Sequence, residues 1–245
     1  MTRSYRRLHL LVEGTTEETI VREVVAPHLE SIGWDITVTT PKTRRTGSEP
    51  ARRGGVGAWK PLRKEITNLL GDSSLSLLTT MFDYYGFPSD APGMVNRPDL
   101  SAIERVAHVE QSLKREIGDR RFVPHLVLHE VVAWVFAAAD QLADQIDDER
   151  LARRLLRDVE ANAGPEGINE GPETAPSKRL LRYCPTYIKQ LDGPEAVRRL
   201  GLVALRQQCP HMDAWLRKFE RVITDDVTGG EVHSPPGTTA GDTRR

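Results

Sequence analysis

Apolar positions change their period along the chain, and each change marks an element. Residues 7–13 (RLHLLVE) read as a short strand bounded by Gly14. Ile20, Val21, Val24, Val25 and Leu29 then recur at helical spacing within 16–32. Residues 34–40 (WDITVTT) alternate and are β-branched, as a strand prefers. Residues 41–58 carry Gly and Arg without periodicity and predict a long loop, followed by a helix over 59–70. The nearly continuous apolar run 75–82 (LSLLTTMF) predicts a buried strand that ends at Asp83. A Pro- and Gly-rich loop (GFPSDAPGMVNRP) leads to a helix over 100–117. A further strand follows over 122–128 (FVPHLVL), with Pro124 near its start or at a sheet edge.

Strands alternating with helices predict a parallel sheet with right-handed crossovers. From about residue 131 the strand signals cease. The remainder reads as helical, with a Gly/Pro break at 164–176 and no internal repeat. The expected organisation is an α/β core over 1–138, a mostly helical extension over 139–223 packed on it, and a disordered tail over 224–245.

Composition narrows the class without changing this outline. Of 245 residues, 38% are hydrophobic and 28% charged, so a packed core is within reach and wholesale disorder is not expected. Thirty-four Lys and Arg against 35 Asp and Glu give a net charge of −1. That balance excludes a histone-like protein but not a local basic patch. Two cysteines, Cys184 and Cys209, exclude a disulfide framework and a four-cysteine zinc site. No apolar run is long enough for a membrane span. The N-terminal apolar stretch is interrupted by His9 and ends at Glu13, too short for a signal-peptide core, so a cytoplasmic location is expected.

Ligands of open parallel sheets bind outside the C-terminal ends of the strands. Three of the predicted strands end at or beside a carboxylate: Glu13, Asp83, and Glu130 after His129. Glu17 follows Glu13 by one helical turn. Like charges at close range need a cation, and an all-oxygen set suits Mg²⁺ or Mn²⁺. Such a site would act on a phosphodiester. The structural alternatives are a Thr15-x-x-Glu18 capping box, a dipole-favoured Glu17, and an Asp83 that starts a turn. No Walker A loop and no G-x-S-x-G elbow occurs. Cys209-Pro-His211 offers two ligands at most and reads as a core cysteine.

Between residues 42 and 64, Lys42, Arg44, Arg45, Arg52, Arg53, Lys60, Arg63 and Lys64 form a cationic segment. It could hold a phosphate backbone or be a solvated loop. Lys178 and Arg179, after Ser177 as a helix cap, are a second candidate phosphate contact. His125 and His129 read as core histidines, with a ligand or proton-shuttle role for His129 as the alternative. Trp215 and Phe219 read as core.

LLVEGTTEE, TTMFDYYGFP and HLVLHEVVAWVF, with INEGPETAPSKRLLRYCPTYIKQLDG and ALRQQCPHMDAWL, resemble the Toprim-like domain of small bacterial proteins. These are related to the overcoming-lysogenisation-defect nucleases and to anti-phage Toprim proteins. The resemblance covers about residues 7–221. It implies a Toprim-like parallel-sheet core with helices on both faces and a helical C-terminal extension. It gives Glu13 the metal-binding glutamate role, Glu17 the accompanying carboxylate and Asp83 the first aspartate of the Asp-x-Asp motif. Tyr85 stands at the second position of that motif, and Glu130 is the candidate substitute. Lys189 or Lys178 would be the basic residue beside the site. The resemblance further implies a metal-dependent nuclease of DNA or RNA in anti-phage defence, working with an ABC-type ATPase. Two alternatives stand beside it: a non-catalytic interaction subunit of such a complex, and another Mg²⁺ phosphotransfer enzyme. The helical second half offers surface for homo-oligomerisation.

Overall fold

The computed structural model describes residues 6–41, 57–168 and 174–229. β1 (Arg6–Val12), β2 (Trp34–Thr39), β3 (Leu75–Asp83), β4 (Phe122–Val123) and β5 (Leu126–Val127) form a sheet in the order β2-β1-β3-β4, with β5 also on β3. Every pairing is parallel. β1 and β3 are therefore the inner strands, which explains their near-continuous apolar runs.

Alternation along β1 divides the core between the two faces. Leu8, Leu10 and Val12 pack with Ile20, Val21 and Leu29 from the helical segment α1 (Thr15–Ile20), a π-helical stretch (Val21–Val25) and α2 (Ala26–Ser31). Leu11, Leu78 and Phe82 pack with Leu62 and Ile66 of α3 (Trp59–Leu70) and Val106, Val109 and Leu113 of α4 (Ala102–Ile117). Helices thus cover both faces, as a buried parallel sheet requires. α4 starts in a Ser101–Glu104 capping box and ends at Gly118 in the left-handed conformation.

The edge strand differs from its expected continuous form. It breaks at Pro124-His125 into β4 and β5, because proline supplies no ladder N–H. Threonines of β3 fill the gap. Thr79 donates to the Val123 carbonyl at 2.6 Å, and Thr80 exchanges two bonds with the His125 backbone at 3.0 Å.

The second half is helical: α5 (Val132–Ala137), α6 (Ala139–Ile146), α7 (Glu149–Ala161), α8 (Pro176–Tyr183), α9 (Asp192–Leu200), α10 (Leu202–Gln208) and α11 (Pro210–Gly229). It shares the core of the first face: Leu142, Leu151, Val197, Trp215 and Phe219 belong to the same buried cluster as Leu8 and Leu10. Trp215 donates to Thr79 Oγ1 at 2.9 Å and Trp34 to the Phe219 carbonyl at 3.3 Å, fixing α11 to the sheet. α11 also corrects the expected tail. Order continues past residue 224 to Gly229, and residues 230–245 lie outside the described residues. Among the described residues, no helix is long and apolar enough to cross a membrane.

Candidate functional site

Glu13, Glu17 and Asp83 lie buried at the C-terminal edge of β1 and β3. Glu13 directly follows β1, and its N–H donates to the Met81 carbonyl at 3.0 Å, extending the ladder by one bond. Its Oε2 accepts the Asp83 N–H at 3.0 Å across the sheet. Asp83, the last residue of β3, turns its Oδ1 to the Val131 N–H at 2.8 Å, at the start of α5. Asp83 thus ties the end of β3 to the residue ahead of α5 instead of merely opening a turn. Glu13, Glu17 and Asp83 are all buried.

Glu17 sits in the first turn of α1, whose start is Gly14 without a side-chain cap. The Thr15–Glu18 capping box is therefore not formed; Glu18 instead pairs with Arg22 at 2.8 Å. Glu17 Oε1 is buried without a hydrogen bond, and Lys189 Nζ lies 3.6 Å from it. The same ammonium lies 3.7 Å from Asp83 Oδ2, so Lys189 bridges the two acids from the turn before α9.

Glu130 follows β5, where His129 takes a left-handed backbone (φ 64°). Non-glycine residues enter that region at a cost, commonly beside functional sites. Glu130 Oε2 accepts the Ser177 N–H at 2.9 Å, in the first turn of α8. The expected Ser177 cap is therefore replaced: the orphan donor of this turn is satisfied by Glu130 across the fold.

Electrostatics follow from this crowding. The Asp83 carboxyl is pushed well above the ordinary carboxylate range by burial, then by Glu13, with Glu17 and Glu130 adding to it and Lys189 opposing. The Lys189 ammonium is held above its ordinary value: burial alone would lower it, but Asp83, Glu17, Glu130 and Glu13 outweigh that. Asp83 and Lys189 thus each feel the other four charged groups. The donor set is entirely carboxylate, the chemistry of a Mg²⁺ or Mn²⁺ ligand shell, and Glu17 Oε1, which has the Lys189 charge at 3.6 Å but no hydrogen bond, is the kind of group a closer cation would satisfy. Tyr85, at the second aspartate position of the motif, is exposed.

The cationic candidates divide. Arg44, Arg45, Arg52 and Arg53, with Lys42, lie outside the described residues. Lys60 is exposed in the first turn of α3, and Lys178 is exposed beside Ser177. Arg179 is committed elsewhere, to Asp158 at 3.3 Å and the Thr174 carbonyl at 2.7 Å, so the structure gives it an anchoring role in place of the expected phosphate contact. Trp134, Phe136, Trp215, Phe219 and Cys209 are buried core residues, as read from sequence.

Sequence reasoning missed two features. Tyr187, two residues before Lys189, is buried with its hydroxyl lacking a hydrogen bond, and burial together with Asp192 raises its pKa. Glu110, His125 and His211 converge from α4, the β4–β5 break and α11, with ligand atoms within 4.8 Å of one another. The available signal was Glu110 itself, a charge beside Val106, Val109 and Leu113 on the apolar stripe of α4.

A family model described as a domain of unknown function (DUF4276) matches residues 12–220, and the chain belongs to that family. Neither the curated proteins nor the solved structures contain a match.

Proposed function

We propose, for a member of a family whose description assigns no activity, that this chain is a divalent-metal-dependent nuclease hydrolysing phosphodiesters of DNA or RNA. The observation that carries the reading is that one ammonium, Lys189 Nζ, lies 3.6 Å from Glu17 and 3.7 Å from Asp83 at the C-terminal sheet edge, with Glu13 holding the Asp83 N–H and Glu130 adding its charge to the field. Those four carboxylates would hold Mg²⁺ or Mn²⁺. A bound ion of this kind polarises a phosphoryl oxygen and makes water a better nucleophile at neutral pH.

The chain's own groups prepare the site. Backbone donors at Asp83 and Val131 hold the Glu13 and Asp83 side chains in place before any ligand arrives, so little reorganisation remains. The Lys189 side chain is 42% exposed while its head reaches Glu17 and Asp83. It can therefore present positive charge to a phosphate oxygen at the mouth of the site. Lys60 and Lys178 would contact the backbone of the polymer, together with Arg44, Arg45, Arg52 and Arg53. A bacterial defence role beside an ATPase follows from the Toprim resemblance, and with the cytoplasmic location expected from the sequence it forms part of the same proposal.

A second reading has its own observation. Lys189 already neutralises Glu17 and Asp83, and Tyr85 replaces an aspartate, as suits a non-catalytic docking subunit that has lost its ion. Purified protein incubated with Mg²⁺ or Mn²⁺ and labelled DNA, RNA or tRNA separates the two. The nuclease reading expects cleavage that chelation stops and that falls at least ~100-fold in Glu13→Gln. Cleavage that survives Glu13→Gln at full rate would remove it.

A further inference from the structure

A second cluster lies apart from the carboxylate edge. Glu110 comes from the buried face of α4, His125 from the break between β4 and β5, and His211 from the first turn of α11. Glu110 Oε1 is 3.4 Å from His125 Nδ1 and 3.4 Å from His211 Nε2. Ligand atoms about 2.0–2.1 Å from a tetrahedral centre are about 3.3 Å apart, so both edges have the span of a first coordination shell. The Leu126 N–H donates to Glu110 Oε1 at 2.9 Å, orienting that carboxylate from outside.

The independent sign is His125. It is fully buried; its Nδ1 faces Glu110 Oε1 at 3.4 Å, and its Nε2 has no hydrogen-bond partner. Buried imidazole nitrogens are nearly always satisfied, and an orphaned one in a native core calls for a bound species or a structural cost. One face of the ring stacks on Trp215 at 4.5 Å and 7°. That stack holds the His125 ring in place. The His211 ring lies 4.8 Å from His125 at 26°, and its Nε2 faces the Leu126 carbonyl at 3.1 Å. Closing on an ion requires His211 to rotate out of the stack and give up that carbonyl.

The geometry points to a transition-metal site of the two-histidine, one-carboxylate kind, formed by Glu110, His125 and His211 and separate from the Mg²⁺-type carboxylate site. Imidazole with one carboxylate selects borderline ions such as Zn²⁺ over Mg²⁺. The site joins α4, α11 and the edge strand four residues before His129, so the ion would clamp the segment that presents Glu130.

Co²⁺ titration of the chelator-stripped full chain tests this, because Co²⁺ bound by histidine absorbs in the visible. One equivalent should bind with a low-coordinate d–d spectrum and raise Tm by mass action. The spectrum should persist in Asp83→Asn, which disables the carboxylate site, and vanish in His211→Asn. Glu110→Gln, which keeps the acceptor for Leu126, should weaken binding by more than the roughly 10–100-fold that losing an outer-shell partner costs. It covers the case in which His211→Asn does not fold. No stoichiometric Co²⁺ in the wild type would overturn the site, as would a spectrum that survives His211→Asn or Glu110→Gln unchanged. A spectrum lost in Asp83→Asn would assign the ion to the carboxylates instead.

Discussion

Asp83 carries opposing demands on a single side chain. Its Oδ1 holds the Val131 N–H ahead of α5, its N–H holds Glu13, and its buried charge feels three other carboxylates. Asparagine keeps the acceptor and removes the charge. In chelator-treated protein, Asp83→Asn should therefore be more stable than wild type near neutral pH, by about 1–2 kcal/mol in urea unfolding. The pH dependence has a definite sign. The folded-state pKa is raised, so the contribution of Asp83 is full below its ordinary carboxylate pKa and is lost as pH rises through the folded value. The stability advantage of Asp83→Asn should accordingly shrink as pH falls from neutral into the acid range. An advantage that grows on acidification would contradict the buried-repulsion account. Lys189→Met removes the one cation seen to bridge Glu17 and Asp83, and should destabilise the stripped protein while leaving its far-UV spectrum unchanged.

Elements position these residues, and they were unevenly legible. β1, β2, β3, α3 and α4 follow directly from period and from Gly and Pro punctuation, within a residue or two of their observed ends. The edge strand was harder, because its ladder is completed by Thr79 and Thr80 side chains from a distant strand. No local signal in FVPHLVL announces that. The Ser177 cap failed for a related reason: the donor of α8 found its acceptor in Glu130, 47 residues away. Glu130→Ala should thus cost about 1 kcal/mol through the lost cap, whereas Glu130→Gln should cost little, as thermal unfolding would show. The turn before α9 depends on a close approach. A Cβ at Gly193 would meet the Tyr187 hydroxyl at 2.5 Å and Val135 at 3.2 Å. Gly193→Ala should therefore destabilise by roughly 1–3 kcal/mol and displace the Tyr187–Lys189 segment. An unchanged unfolding midpoint would show that the segment yields freely.

At the scale of the molecule, the parallel sheet explains why carboxylates scattered over 118 positions of sequence, from Glu13 to Glu130, share one edge: parallel strands bring all their C-terminal ends to the same side. That much was readable from Glu13, Asp83 and Glu130 at strand ends. Two things were not. The bridging geometry of Lys189 depends on helices α8 and α9 folding back over the sheet, a tertiary event without a local pattern. The Glu110–His125–His211 convergence joins three elements whose separate sequences each look structural. The central claim is that the acidic edge is a cation site and not a neutralised relic, and Mn²⁺ binding followed by EPR tests it most directly. Wild type should bind Mn²⁺ saturably, in competition with Mg²⁺, and both Glu13→Gln and Asp83→Asn should lose that binding. Absence of saturable binding in the folded wild-type protein, or equal binding in both variants, would contradict it.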